Sequence, residues 1–221
     1  MEYQGPTPGD LANIHALNRF FLMAWSAPAR DRFVVPGARG MTRSQLARLA
    51  SAPFLLFSFR EQDEDYWQRV LGDESQIDLI DSADPADEKI RQLQVAGLSF
   101  LWQLVHRNPY AARIVSGASV SWCERLAEQT LVGLLHRVGT RGDLMRLRFE
   151  DEKDVWRRLL DAGTSSSYQA RLAAQHCALQ AMLTQSDARP YNRVSAAACS
   201  MRAPGQRQAA RRTDRIRDPK V

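Results

Sequence analysis

A series of short helical segments between Asn108 and Phe149 restricts the fold of this chain more than any other sequence feature. Three residues there are suited to starting a helix, Asn108, Ser119 and Thr130, and two glycines, Gly117 and Gly139, are suited to ending one. Apolar residues recur at three- and four-residue steps between them, so each segment has one face to bury. The pattern predicts a three-helix, helix-turn-helix-like unit over residues 108–149.

The same periodicity continues through most of the chain and predicts further helices. The longest is expected over residues 85–107, with the apolar stripe Ile90, Leu93, Gly97, Leu101, Leu104 and Val105. A last helix is expected to end near Thr184, with Leu172, Cys177, Leu179 and Leu183 buried. The sequence therefore predicts an all-α fold, with one helical domain of about seven to nine helices over residues 1–184.

The most apolar segment, Pro53–Phe59, has an ambiguous pattern. By periodicity alone it is either a buried strand or a buried helical turn. Proline at its first position suits the start of a helix, so a helix is the favoured prediction.

The positive charge is concentrated at the C-terminus. The chain carries +5, but residues 185–221 contain nine Arg or Lys and three Asp, a net +6, so the preceding residues carry −1. Such a basic, polar end is typical of a disordered tail, and contact with nucleic acid or an acidic partner is the alternative. The charge is thus no argument for a basic folded domain.

Two further features concern the cellular compartment. The apolar run Phe20–Trp25 is much shorter than the roughly 20 residues of a membrane span and has no basic leader. The three cysteines, Cys123, Cys177 and Cys199, form no CxxC pair and are too scattered for a disulfide framework. A cytoplasmic protein without a membrane partner is expected.

The sequence contains none of the common catalytic signatures, such as a GxSxG elbow, a phosphate-binding loop, a GxGxxG turn or an HExxH pair. The acidic cluster of residues 61–65 has no nearby histidine and suits the first turn of a helix. Cys123 is expected to be a small buried side chain. We therefore predict a non-enzymatic protein with no cofactor, no metal site and no catalytic residues.

Trp122 differs from the other tryptophans, which lie within apolar helical segments. It stands next to a predicted helix start and follows Ser121. We therefore expect it to be exposed and to serve as a partner-binding residue.

The stretch AARIVSGASVSWCERLAEQTLVGLLHRV, followed by LMRLRF, resembles the C-terminal half of the D subunit of the flagellar master transcriptional activator. The resemblance covers residues 110–149, and its matching positions are Gly117, Leu126, Thr130, Leu131 and Phe149. It implies a helical DNA-binding regulator that works with a partner subunit. The first 107 residues do not resemble that family's dimerising half.

Two hypotheses about function follow. In the first, the protein is a regulatory protein that binds double-stranded DNA through a basic rim formed by Arg113, Arg137, Arg141, Arg146 and Arg148. In the second, it is a protein-interaction adaptor whose apolar surfaces, including Pro53–Phe59, contact a partner protein or a second copy, or it is a helical structural protein; in either case it has no nucleic-acid role.

Overall fold

The computed structural model describes residues 5–25, 40–72, 88–138 and 144–200, with the side chains described up to Thr184, except that of Trp25. Within these ranges the fold is mostly helical, as predicted. Nine helices occur in order: α1 Pro8–Trp25, α2 Arg43–Ala50, α3 Glu64–Gly72, α4 Glu88–Arg107, α5 Pro109–Ser116, α6 Val120–Ala127, α7 Leu131–Val138, α8 Lys153–Asp161 and α9 Tyr168–Ser200. Two short strands, β1 Phe57–Ser58 and β2 Arg146–Leu147, form a minimal antiparallel sheet.

Helix α4 lies at the centre of the core, against α1, α5, α6 and α7. Its predicted apolar stripe is buried, which confirms the helical periodicity. Gly97 lies where α4 meets the strand segment, because a Cβ at this position would be 2.7 Å from Phe59 Cζ. The glycine allows the aromatic ring to pack directly on the helix backbone.

The prediction of a helix for Pro53–Phe59 is wrong. These residues form a non-helical segment that contains β1 and is buried except at the half-buried Pro53 and Ser58, and Phe57 pairs with Leu147 across the sheet. The two strands are about 90 residues apart in the chain, so local periodicity could not show the pairing that decides the conformation.

Asn18 of α1 holds this segment in place and is fully buried. Its side-chain amide donates hydrogen bonds to the carbonyl oxygens of Ala50, Ala52 and Phe54 at 3.3, 3.5 and 2.8 Å. Its Oδ1 accepts a hydrogen bond from the Leu56 N–H at 2.9 Å. The sequence places Asn18 away from the apolar stripe of α1, so this contact was not predicted.

Helix α9 differs from its prediction in its buried face and in its end. The buried residues are Ala174, Ala178 and Met182, whereas Cys177 is exposed. The two alanines allow the helix backbone to approach the core closely, and the predicted leucines lie half-buried at the edges of this face. The helix continues to Ser200 instead of ending near Thr184.

The chain divides into two compact units, residues 1–186 and 187–221. The second unit is described only as the helical backbone of residues 187–200, and the rest of the predicted basic tail lies outside the described residues. No helix in the described ranges is long and apolar enough to span a membrane.

Candidate functional site

The three-helix unit comprises α5, α6 and α7, which are joined by two three-residue connections. The side chains of Asn108, Ser119 and Thr130 each accept a hydrogen bond from a backbone N–H of the helix that follows, at 3.0, 3.1 and 3.1 Å. Gly117 ends α5 in the left-handed conformation, with φ 67°. These local signals are the ones that the sequence predicted.

The expectation that Trp122 is exposed is wrong, because only 1% of its surface is accessible. Its ring packs edge-on against Trp67 of α3, with the ring centroids 5.5 Å apart. Trp122 therefore joins two helices in the core and has no surface on which a partner could bind.

Arg148, one of the five predicted DNA-binding arginines, is 6% exposed. Its Nε donates to the carbonyl oxygens of Leu55 and Phe57 at 2.6 and 3.1 Å, and its Nη1 donates to that of Ser116 at 2.5 Å. Its Nη2 donates to Phe57 O at 2.6 Å and to a carboxylate oxygen of the buried Glu61 at 3.1 Å. The guanidinium thus connects β1 to the end of α5, and its donors are directed at protein acceptors rather than at solvent.

The other predicted arginines that the structure describes differ in exposure and in hydrogen bonding. Arg113 is half-buried and its Nε donates to the Ala118 carbonyl at 3.4 Å, and Arg137 donates to the Leu71 carbonyl. Arg146 is exposed, and Arg141 lies outside the described residues. Among the four described arginines, only Arg146 is directed mainly toward solvent.

Arg146 also lies close enough to Asp63 to influence its ionisation. Burial by itself raises the pKa of the Asp63 carboxyl. The hydrogen bonds from Arg60 and the Tyr66 N–H, together with the charges of Arg60 and Arg146, outweigh this effect and lower the pKa below its ordinary value. The positive potential of Arg146 is therefore partly balanced by a neighbouring carboxylate.

Cys123 has no features of a nucleophile. It is buried, and burial raises the pKa of its thiol to about 12 despite the nearby positive charge of Arg113. The thiolate is the reactive form of cysteine, so the thiol is unreactive at neutral pH. The side chain lies on the buried face of α6, as predicted.

The outward surface of α6 and α7 lacks arginine and lysine among its exposed positions. These positions are Val120, Ser121, Glu124, Val132 and His136, with Glu128 and Thr130 exposed in the connection. This surface therefore combines exposed apolar side chains with two carboxylates.

Val132 is the most exposed large apolar side chain in the described residues, at 80%. Leu135 and His136 lie three and four residues further along α7 and so share its side of the helix. They line an open groove of about 520 Å³ between α7 and α4, where Val95 and Ala96 form the opposite wall. We call the surface formed by Val95, Ala96, Val132, Leu135 and His136 the α4–α7 face.

The rim of the α4–α7 face is polar. Arg91 donates to a Glu88 carboxylate oxygen from both Nε and Nη2, at 2.9 and 2.5 Å, and Gln92 donates to the other oxygen at 2.9 Å. The two charges compensate each other, so the rim itself carries no net charge. An apolar centre with a neutral polar rim is suited to contact with protein.

The sequence analysis missed the α4–α7 face, although the sequence contains a signal for it. Five of the eight residues of α7 are large and apolar, more than one buried stripe requires. Only Leu134 and Val138 are fully buried. The excess of apolar residues could have predicted a second, exposed apolar face.

The described residues contain no cluster of three or more histidine, cysteine, aspartate or glutamate side chains that could hold a metal ion. Comparison with protein-family models, with characterised proteins and with solved structures finds no match for the chain.

Proposed function

We propose that this chain is a non-enzymatic regulatory protein that acts by binding another protein through the α4–α7 face. The observation that carries this proposal is the exposure of Val132 beside the apolar groove formed by Val95, Ala96 and Leu135. Removal of these side chains from water is favourable, by roughly 25 cal/mol for each Å² of apolar surface buried. Contiguous apolar surface with a polar rim is typical of interaction sites.

A photo-cross-linking amino acid in place of Val132, in the full-length protein, tests this proposal in cells. We expect a defined cross-linked protein product after irradiation, because the side chain at this position is exposed beside the groove. The yield should fall when Val95→Glu introduces a charge into the opposite wall.

The matched control places the same amino acid at Met23, which is 66% exposed on α1 and far from α7 in the chain. A product of equal yield from both positions would contradict the proposal, as would the lack of any product from position 132.

DNA binding is a second candidate, favoured by the helix-turn-helix spacing of α6 and α7 and by the exposure of Arg146. It predicts binding to duplex DNA that weakens as salt increases and that Arg146→Glu reduces. Fluorescence anisotropy with labelled duplex measures both effects. Arg148 is unsuitable for this test, because its replacement disturbs the core. Binding that is insensitive to salt, or unchanged by Arg146→Glu, argues against this candidate.

A further inference from the structure

We infer that the chain contains an internal duplication, in which α2–β1–α3 and α7–β2–α8 are two copies of one helix–strand–helix unit, related by an approximate twofold axis. The spacing of the elements, the hydrogen bonds of their turns and a reciprocal pair of arginine contacts carry this inference. None of these observations depends on the proposed function.

The elements of the two copies recur at a constant distance of 89 residues. This distance separates β1 Phe57–Ser58 from β2 Arg146–Leu147, and it separates α3 Glu64–Gly72 from α8 Lys153–Asp161 at both ends. Helices α2 and α7 have eight residues each, and α7 begins one residue earlier relative to its strand. We call two residues that are 89 positions apart counterparts.

Counterparts are alike in identity and in burial. Between residues 43–72 and 132–161, eight pairs are identical: Leu46 and Leu135, Arg48 and Arg137, Leu55 and Leu144, Glu61 and Glu150, Asp65 and Asp154, Trp67 and Trp156, Arg69 and Arg158, and Leu71 and Leu160. The apolar counterparts that are both buried are Leu49 and Val138, Leu55 and Leu144, Leu56 and Met145, Trp67 and Trp156, and Val70 and Leu159. The two copies therefore bury the same positions.

The turn from strand to helix is the same in both copies. Arg60 and Phe149 are counterparts, and they are the two residues other than glycine with positive φ in the described ranges, at 57° and 61°. The N–H of Asp63 donates to the Arg60 carbonyl at 2.8 Å, and the N–H of Glu152 donates to the Phe149 carbonyl at 3.0 Å. Such φ values are uncommon for a residue with a Cβ, so their recurrence at counterparts indicates one shared turn.

The strand pairing defines the relation between the copies. Phe57 pairs with Leu147, and Ser58 pairs with Arg146, in antiparallel orientation. Exchange of every residue with its counterpart converts the first pair into the second, so the pairing is unchanged by the exchange. A twofold contact has this property, because residue i of one copy meets residue j of the other and the reverse. The approximate axis therefore passes between β1 and β2.

The counterparts Arg48 and Arg137 make equivalent contacts across this axis. Arg48 of α2 donates from Nη1 to the Thr164 carbonyl, three residues beyond α8, at 3.1 Å. Arg137 of α7 donates from Nη1 to the Leu71 carbonyl in the last turn of α3. The Thr164 hydroxyl in turn donates to the carbonyl of Leu160, the counterpart of Leu71, at 2.6 Å. Each arginine thus binds at the carboxyl end of the other copy's second helix, where carbonyl groups carry partial negative charge.

One difference between the copies bears on the α4–α7 face. The counterpart of Val132 is Arg43, and both side chains are exposed. The shared unit therefore does not require an apolar residue at position 132, and the exposed valine is a feature of the second copy.

Hydrogen exchange of the full-length protein, followed by mass spectrometry, tests the reciprocal contacts. Arg48→Met should increase amide exchange at the carboxyl end of α8, and Arg137→Met should increase it at the carboxyl end of α3. We expect increases of about two- to tenfold, the factor that loss of one hydrogen bond produces.

Arg43→Met is the matched control, because it removes an exposed arginine from α2, and it should leave exchange at both helix ends unchanged. Faster exchange confined to the helix that carries the substitution would mean that the arginines do not join the copies. That result overturns the twofold arrangement.

An exchange of sequence between the copies tests their equivalence. The α3 sequence EDYWQRVLG is placed at residues 153–161 of α8 through the substitutions Lys153→Glu, Val155→Tyr, Arg157→Gln, Leu159→Val and Asp161→Gly. Only Leu159 is fully buried among these five residues. The variant should therefore keep one cooperative urea transition, with a midpoint lowered by about 1 M or less.

The control places the same nine residues one position later, at 154–162. This shift moves the tryptophan to the exposed position 157 and puts an arginine at the buried position 159. The shifted variant should lose the cooperative transition. An unshifted variant that unfolds as readily as the shifted one overturns the duplication.

Discussion

At the residue scale, Arg148 combines a full charge with almost complete burial. Removing an ionised guanidinium from water is costly, and this cost is offset only when its donors find acceptors. Arg148 meets this condition with three backbone carbonyls and the carboxylate of Glu61, which in turn accepts a hydrogen bond from the Ser58 hydroxyl at 2.6 Å. The pair is therefore part of the core structure rather than of a binding surface.

Replacement of Arg148 by methionine is expected to lower the free energy of unfolding by about 3–5 kcal/mol, because it leaves the Glu61 carboxylate buried and unpaired. Urea denaturation measures the change. Arg146→Met, two residues away on the exposed side, is the control and should change stability by about 0.5 kcal/mol or less. The combined variant Arg148→Met with Glu61→Met should be more stable than Arg148→Met alone. If Arg148→Met behaves like the control, the buried pair has no structural importance.

The different surroundings of Arg146 and Arg148 show a limit of sequence reasoning at this scale. Strict alternation along a strand puts Arg146 and Arg148 on one side, and both were candidates for a basic rim. The strand ends at Leu147, however, and Phe149 adopts φ 61°, so the chain turns directly after Arg148. A bulky residue in the left-handed region depends on tertiary packing, here against Phe54, and no local pattern predicts it.

At the element scale, the parts that the sequence predicted correctly are those that local interactions decide. The starts of α5, α6 and α7 depend on capping residues three positions from the N–H groups that they bind. The conformation of the Pro53–Phe59 segment depends instead on Asn18 and on β2, which are distant in the chain. The α4–α7 face likewise needs two helices about 40 residues apart.

The connection between α5 and α6 requires a glycine at position 117. A Cβ at this position would overlap the Met182 side chain of α9, and the positive φ disfavours any residue with a Cβ. Gly117→Ala should therefore destabilise the fold by about 1–2 kcal/mol from the backbone and by about 1–3 kcal/mol from crowding. Thermal or urea unfolding measures the loss.

The control for this prediction is Gly72→Ala at the end of α3, where a Cβ would meet open space. The double variant Gly117→Ala with Met182→Ala should lose less free energy of unfolding than the sum of the two single variants, because the alanine at position 117 then occupies space that the methionine leaves. Strict additivity would mean that Met182 does not crowd Gly117.

At the scale of the whole molecule, stability depends on pH through carboxylates whose pKa is lowered by their partners in the folded state. Burial raises the pKa of Asp10, but hydrogen bonds from Thr7 and the ion pair with Arg107 lower it below its ordinary value of 3.8, and the pKa of Asp63 is also lowered. A lowered pKa in the folded state gives stability that is fully present above the unfolded-state value of 3.8. That stability is lost as pH falls through the lower folded-state values.

The free energy of unfolding is therefore expected to fall as the pH drops below about 4. Asp10→Asn should lower stability at pH 7 and reduce the further loss on acidification, because the ion pair with Arg107 of α4 is already absent. Denaturation series at several pH values measure both effects. Asp154→Asn, in an exposed pair with Arg157, is the control and should change little. Equal acid sensitivity in the wild type and Asp10→Asn would mean that the ion pair of Asp10 with Arg107 does not contribute to the pH dependence of stability.

The position of Asn18 also has a consequence for aggregation. A two-stranded sheet leaves backbone N–H and C=O groups along its edges, and such edges recruit strands from other molecules. The Asn18 carboxamide provides both a donor and an acceptor to the segment that leads into β1. Helix α1 thereby satisfies backbone groups of the most apolar segment of the chain, and these groups are not available for pairing with another molecule while α1 is docked.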